Sequence, residues 1–249
     1  DSENAIDVIL TSGKVLTADF VMLAIGVTPD TAFLKDSGIA LGAKGHIVVN
    51  ERMQTNVPDV YAVGDAIEEV NFITGGKTAV PLAGPANKQG RIAADNISGH
   101  PAAYKGTQGT SILKVFSLTA AGTGENESSL AKAGIAYKTA QIHTVSHASY
   151  YPGAAPITLK LLFTEEGRLL GAQGIGYDGV DKRIDVIAAV IRLKGTVNDL
   201  AELELSYAPP YSSAKDPVNM AGFVAQNVLA GKSHLITWED FLRMNREDY

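Results

Sequence analysis

The chain has 249 residues, 45% of them hydrophobic and 19% charged, enough apolar material for one large core or two modest ones. Lys and Arg number 21 against 27 Asp and Glu, a net charge of -6, and no basic run is dense enough to follow a phosphate backbone, which argues against a nucleic-acid partner. Cysteine is absent, which excludes disulfides, thiolate zinc sites and a thiol nucleophile within these residues.

No apolar stretch approaches the roughly 20 residues of a membrane span. The opening DSENAIDVIL lacks a basic region followed by an apolar one, so no membrane partner and a cytoplasmic location are expected. Strand-like alternation begins almost at Asp1, and the chain is expected to be a fragment of a longer gene product.

Ile6, Val8 and Leu10 alternate before a Ser12-Gly13-Lys14 turn, and the apolar run Val21 to Ile25 follows. Together they predict a hairpin feeding a buried strand closed by Gly26. Thr28-Pro29-Asp30 marks a junction, with Asp30 as N-cap of a short helix through Lys35. Ile47 to Val49 and Val57 to Val63 predict two short strands, the second ended by Gly64-Asp65. From Pro81 to Ser98, Leu82, Ala86, Gly90, Ala93, Ala94 and Ile97 recur at helical spacing, and Gly99 stops the helix. The turn-rich stretch 100–109 is the expected domain boundary.

Beyond it the pattern predicts strand Ser111 to Leu118, helix Glu127 to Lys132 and strands Tyr137 to Val145, Ile157 to Phe163 and Leu169 to Ile175. That gives three antiparallel strands covered by helices. Val180, Ile184, Ile187, Ala188 and Ile191 share one face of the next helix, terminated by Gly195. A last helix runs from Pro217, suited to the first turn, to Ala230 before Gly231. Residues 232–249 read as a linker or the start of another domain.

Four constellations carry chemistry. In TNVPDVYAVGD, residues 55–65, a strand ending in Gly-Asp sets an acceptor-only carboxylate, Asp65, where it suits a polyol or ribose hydroxyl; alternatively Asp65 caps the next helix. PLAGPANKQGR, residues 81–91, opens a helix whose free N–H groups stabilise negative charge on a ligand, unless the helix is simply packed. ELSYAPPYSSAKDPVN, residues 204–219, is a rigid loop presenting two phenols and a cation, or an interface loop with aromatic anchors. HASYYPGA, residues 147–154, sets a tyrosine pair before Pro-Gly, a common turn context whose plain reading is a strand end with one aromatic packed underneath. His143 and His147 lie on strand and loop and do not form a helical zinc pair. The acidic pairs Asp178 and Asp181, and Glu202 and Glu204, read as helix starts or solvated faces.

TNVPDVYAVGD followed by Ala66 resembles the second FAD-binding motif of the two-dinucleotide-domain flavoproteins. AIGVTPD, residues 24–30, resembles the segment of those proteins that returns the chain from the NAD(P)H domain to the FAD domain. The later loops resemble those of the coenzyme A-disulfide reductases and their oxidase and persulfide-reductase relatives. The resemblance spans Ile6 to Ala230 and implies the C-terminal part of a pyridine-nucleotide disulfide oxidoreductase. The implied fold class is α/β followed by α+β: a partial FAD/NAD(P)-binding doubly wound domain, then an antiparallel-sheet-plus-helices dimerisation domain. Residues 1–28 would end the NAD(P)H domain, 29–106 belong to the FAD domain, 107–231 dimerise, and 232–249 lead out. The tail SHLITWEDFLRMNREDY resembles the lead-in to a rhodanese domain.

The resemblance implies that Asp65, flanked by Gly64 and Ala66, holds the ribityl chain of FAD, and that the helix start at Leu82 and Ala83 faces the flavin pyrimidine. Asn87 matches an asparagine that contacts coenzyme A, and Arg91 is assigned to the same substrate. Tyr207 would reach the flavin and substrate sulfur in a partner subunit, with Lys215 on a coenzyme A phosphate. The second active-site tyrosine is Tyr150 or Tyr151. FAD and NAD(P)H are the implied cofactors, a homodimer the implied assembly, and coenzyme A disulfide or a persulfide the implied substrate. No metal is called for.

The family's two Gly-rich fingerprints and its redox cysteine are not in this sequence, and Thr123 to Glu125 is no substitute. The 249 residues alone are therefore expected to be inactive and to bind little or no FAD. An NADH oxidase or peroxidase of the same fold is the alternative within the enzyme class; a flavin-free dimerisation module is the alternative outside it.

Overall fold

A computed structural model describes residues 5–236 and 238–244. Alternation at the start produces the expected hairpin: β1 (Ile6–Ile9) pairs antiparallel with β2 (Val15–Ala18), Ile6 opposite Ala18. Gly13 turns between them at φ +81, a conformation glycine adopts without steric cost. The apolar run after it, by contrast, is not the buried strand its composition predicts. Residues 21–25 have no regular structure, and Met22, Leu23 and Ile25 are 76%, 79% and 89% exposed. A strand exists through its ladder partner, and among the described residues none pairs with this segment. Thr31, not Asp30, occupies the N-cap of a one-turn 3-10 helix, Ala32–Leu34. Its hydroxyl donates to the Gly45 carbonyl instead of capping.

A three-stranded sheet of order β3-β4-β5 follows, from β3 (Ile47–Val48), β4 (Ile67–Val70) and β5 (Lys77–Thr78). The first pair is parallel and the second antiparallel. Val57 to Val63 is not a strand: it is a turn followed by a single bridge from Gln54 to Tyr61. Pro58 has no N–H for a ladder, and Asp59 reverses the chain at φ +63. Gly64-Asp65 therefore leads into strand β4 instead of ending one. Helix α1 (Ala83–Ile97) forms where predicted, with Gly99 at φ +80 beyond its Ser98 C-cap. Its inward residues are Gln89 and Ala93, and Ala93 packs with Met53 and Ile67; Ile97 stays exposed.

The larger core lies in the second half. There β6 (Ser111–Val115), β7 (Leu118–Gly124), β8 (Lys138–Val145), β9 (Pro156–Phe163) and β10 (Leu169–Gly176) form an antiparallel sheet of order β6-β7-β10-β9-β8. The sheet has five strands, not the three expected: β6, the predicted strand 111–118 cut short by a turn at Phe116, φ +52, joins it together with β7, which the sequence reading lacked. Helix α2 (Glu127–Ala133) starts with a reciprocal cap between Asn126 and Ser129.

Helices α3 (Val180–Arg192) and α5 (Pro217–Leu229) cover one sheet face, α3 against β7 and β10, α5 against β8 and β9. Ile184, Ile187 and Ile191 meet Leu159, Leu161 and Leu170 there, all buried, each side chain contributing about 2 kcal/mol. Helix α3 ends with Lys194, not Gly195, in the left-handed conformation, φ +61. The Gly195 N–H then reaches the Val190 carbonyl, the six-to-one bond of a Schellman end. A further helix, α4 (Val197–Glu202), absent from the sequence reading, is nucleated by a Thr196–Asp199 capping box. It lies so close to α5 that a Cβ on Gly222 would come 2.7 Å from the Ala201 backbone nitrogen.

Helix α6 (Trp238–Arg243) falls in the tail, where the Trp238 and Phe241 rings stack at 5.3 Å. Residues 237 and 245–249, part of the segment expected to lead into a rhodanese domain, lie outside the described residues. Among the described residues no helix is long and apolar enough to cross a membrane.

Candidate functional site

Asp65 stands in a cleft of about 610 Å³ whose walls include Thr28, Pro29 and Asp30 on one side and Ala66, Glu68 and Pro81 on the other. The expected junction segment and the Gly-Asp turn are thus brought to one place. The turn depends on Gly64 at φ +85. Its N–H donates to Gln89 Oε1 at 2.8 Å, and Gln89 Nε2 donates to Glu69 Oε2 at 2.8 Å. Gln89 is 1% exposed, so this relay ties the Asp65 turn to the buried side of α1. Burial pushes the Glu69 carboxyl above its ordinary value of 4.5, against the lowering effect of hydrogen bonds from Thr107, the Val80 backbone, Gln89 and Tyr104. The Ala66 carbonyl is committed to the Ile47 N–H at 2.8 Å, which leaves the Asp65 carboxylate as the exposed acceptor of the turn.

At the start of α1, Leu82 is the N-cap without a side-chain cap bond, and no acidic residue lies in the first turn. Leu82 is half-buried and Ala83 exposed; neither lines the cleft, which ends at Pro81. The exposed Asn87 turns its amide back onto the Ala83 carbonyl at 2.9 Å. Arg91, one turn further along the same exposed side, stands 3.8 Å from Asp95.

The two tyrosine segments meet. The hydroxyls of Tyr150 and Tyr207 lie 3.3 Å apart, and this hydrogen bond, ahead of desolvation and the Tyr207 charge, raises the Tyr150 phenol above its ordinary value. Tyr151 instead sets its ring edge against His147, centroids 5.9 Å apart at 73°. Of the two candidates, Tyr150 is the partner of Tyr207. Both hydroxyl-bearing rings are exposed, at 75% and 48%. Lys215 is also exposed and forms no ion pair among the described residues. Tyr150, Tyr207 and Lys215 do not line the cleft of Asp65, so the chain presents two separate surfaces.

Sequence reasoning missed a buried ion pair that contacts both tyrosine-bearing segments. Arg183 is 1% exposed and Asp216 2%, joined Nη2 to Oδ2 at 3.0 Å. The signal was positional: Arg183 lies three residues after Val180 and four before Ile187, on the face of α3 that faces the core. Gln89 was hidden the same way, four residues before Ala93. Among the described residues no group of His, Asp and Glu could hold a metal.

Two family models divide the chain as its two halves do. Residues 1–90 match the pyridine nucleotide-disulphide oxidoreductase model, and residues 110–217 match the dimerisation domain of the same family. The chain belongs to the pyridine nucleotide-disulphide oxidoreductases. A coenzyme A disulfide reductase of Staphylococcus epidermidis is 38% identical over 90% of this chain and 51% of its own length. Among solved structures, reduced Bacillus anthracis CoADR-RHD is 52% identical, with a TM-score of 0.91 over 97% of this chain and 44% of that one. An NAD-dependent persulfide reductase from A. fulgidus is 38% identical, also at 0.91, over 98% of this chain and 45% of its own. The chain thus spans about half the length of the curated relatives it matches, and its combination of an α/β first half with an antiparallel dimerisation fold is that of the family.

Proposed function

We propose that this chain is the flavin-cradling and dimerising part of an NAD(P)H-dependent reductase that cleaves coenzyme A disulfide or a related persulfide as a homodimer. The observation that carries the reading is the pairing of Tyr150 with Tyr207, with Lys215 exposed in the same loop as Tyr207 and in no ion pair among the described residues, none of the three lining the Asp65 cleft. Phenols suit protonation of a leaving thiolate, and an ammonium suits a phosphate as a point charge. A small oxygen substrate would need neither.

The residues present fit one side of an FAD. Asp65 is an exposed acceptor able to take a hydrogen bond from a ribityl hydroxyl, and the uncapped start of α1, where Leu82 donates its own N–H to the Val80 carbonyl, offers the Ala83 N–H and positive dipole to an electron-rich ring edge. When bound, the flavin supplies electrons taken from NAD(P)H to sulfur. This chain's own part is to hold that cofactor through Asp65, to bind the nucleotide end of the substrate through Lys215 with Asn87 and Arg91, and to return a proton from Tyr150 or Tyr207 to the departing thiolate. The sequence contains no cysteine, so the sulfur nucleophile of the resemblance is not among these residues.

Support for the homodimer comes from the five-stranded sheet. The helices cover one face, and the other is open along a groove lined by Leu113, Gln141, Thr158, Lys160, Gln173 and Ile175. Apolar side chains left in such a patch mark an association surface. In a two-fold assembly the tyrosine surface of one subunit would serve the Asp65 cleft of the other.

The test uses the full-length enzyme with its flavin. Oxidation of NAD(P)H should proceed without oxygen when coenzyme A disulfide is added, and the disulfide should suppress oxygen consumption in air. Rapid oxygen consumption that the disulfide does not suppress would favour an NADH oxidase instead.

A further inference from the structure

The segments carrying Tyr150, Tyr207 and Lys215 have no helix or strand of their own, yet both are tied to one buried guanidinium. We propose that Arg183 is a positioning residue for substrate recognition, holding the Tyr150 segment and the Tyr207–Lys215 segment in fixed relation through Ser146, Ser212 and Asp216. The inference rests on the reading above that these segments bind coenzyme A.

Arg183 Nη2 donates to the Ser146 carbonyl at 2.7 Å, to Asp216 Oδ2 at 3.0 Å and to Ser212 Oγ at 3.3 Å, while Nη1 donates to the Gly179 carbonyl at 3.0 Å. Ser146 closes the Tyr150 segment: its N–H donates to the Ala155 carbonyl at 2.8 Å, and its Oγ accepts from the Ala155 N–H at 3.1 Å. Ser212 sits inside the other segment and donates its own hydroxyl to Asp216 Oδ2, while the Ala148 N–H donates to its carbonyl at 2.9 Å. Asp216 also fixes the entry to α5 by accepting from the Val218 N–H at 2.9 Å. Lys215 is therefore one residue from the ion pair, and Tyr150 and Tyr207, whose hydroxyls meet, lie on the two segments it joins.

Stability is a poor explanation for this arrangement. Two charges this deeply buried are costly to desolvate, and an apolar pair of similar volume would pack the site as well or better. The planar guanidinium supplies something an apolar pair lacks, directional bonds to several segments at once. Its position is what the two loops share.

The experiment is a double-mutant cycle in the full-length, flavin-loaded dimer. Arg183→Met with Asp216→Asn removes both charges together and keeps an acceptor for the α5 cap, so no unpaired charge stays buried. In the parent enzyme, Lys215→Ala should lower kcat/KM for coenzyme A disulfide about tenfold. In the Arg183→Met/Asp216→Asn background, itself about tenfold down, the same Lys215→Ala change should cost less than about twofold, because the lysine is no longer aimed. An equal, additive cost in both backgrounds would overturn the positioning role and leave the substrate reading intact. No cost of Lys215→Ala in the parent would overturn that reading and this inference with it. If the double variant does not retain flavin absorbance and dimeric sedimentation, Ser212→Ala carries the same cycle, with the same two outcomes.

Discussion

Replacing Gln89 with methionine tests whether the relay behind Asp65 holds the cofactor turn. Methionine has similar volume and flexible packing, so the cost of a cavity is small. What is lost are two hydrogen bonds of a side chain 1% exposed: one from the Gly64 N–H at 2.8 Å and one to Glu69 Oε2 at 2.8 Å. The bond to the carboxylate is worth about 1.5–3 kcal/mol and the neutral one about 1 kcal/mol. Glu69 keeps its other donors, and Gly64 is half-buried and open to water, which together bring the sum to about 3 kcal/mol. For a chain of this size that lowers Tm by roughly 6–12 °C. Thermal unfolding followed by circular dichroism measures it, and flavin content of the full-length enzyme should fall in parallel as the Asp65 turn loosens. A Gln89→Met protein that melts with the parent and keeps all its flavin would refute the relay.

Asp65→Ala removes the one exposed carboxylate of that turn, and the affinity of the full-length enzyme for FAD should fall roughly 10- to 100-fold, measured by flavin fluorescence on titration. Tyr150→Phe should slow disulfide turnover by about a hundredfold at saturating substrate, whereas Tyr151→Phe, whose ring packs on His147, should stay near the parent; the reverse order would exchange their roles. The Glu69 carboxyl is raised by burial, so the folded state holds its proton more tightly than the unfolded chain. Its ionisation penalty is in force above the folded pKa and is lifted as pH falls toward the ordinary 4.5. Denaturant titrations should show the parent gaining stability relative to Glu69→Gln as pH is lowered through that window, and a pH-independent difference would contradict the burial argument.

Periodicity and punctuation made the long elements legible. Helices α1, α3 and α5 announced themselves by apolar spacing and by Gly99, Pro217 and Gly231, and β8 to β10 by alternation between turns. What stayed hidden lacked such punctuation. Phe116 makes a tight turn at positive φ with no glycine, proline or asparagine to mark it, so the predicted strand ran past the end of β6 to Leu118 and the rest of β7 was not read. Val57 to Val63 has strand composition, but Pro58 and Asp59 break it. The run Val21 to Ile25 carries a strong strand signal and has no neighbour to pair with among the described residues, since composition reports preference and a ladder needs two strands. Within the site, Asp65 was singled out by the resemblance of the whole string 55–66 to a family motif, since Gly-Asp alone reads as readily as a helix cap. Arg183 and Gln89 were not, because a polar residue on an apolar helix face reveals its partners only once distant segments are brought to it. Likewise Tyr150 and Tyr151 are equivalent in sequence, and only the position of Tyr207 separates them.

The central claim is that this surface recognises the phosphate-bearing end of coenzyme A. The most direct measurement compares KM for coenzyme A disulfide with KM for the phosphate-free pantetheine disulfide, in the full-length enzyme and in its Lys215→Ala variant. The variant should raise KM about tenfold for coenzyme A disulfide and leave KM for the phosphate-free disulfide unchanged. Equal effects on both substrates, or none on either, would contradict it.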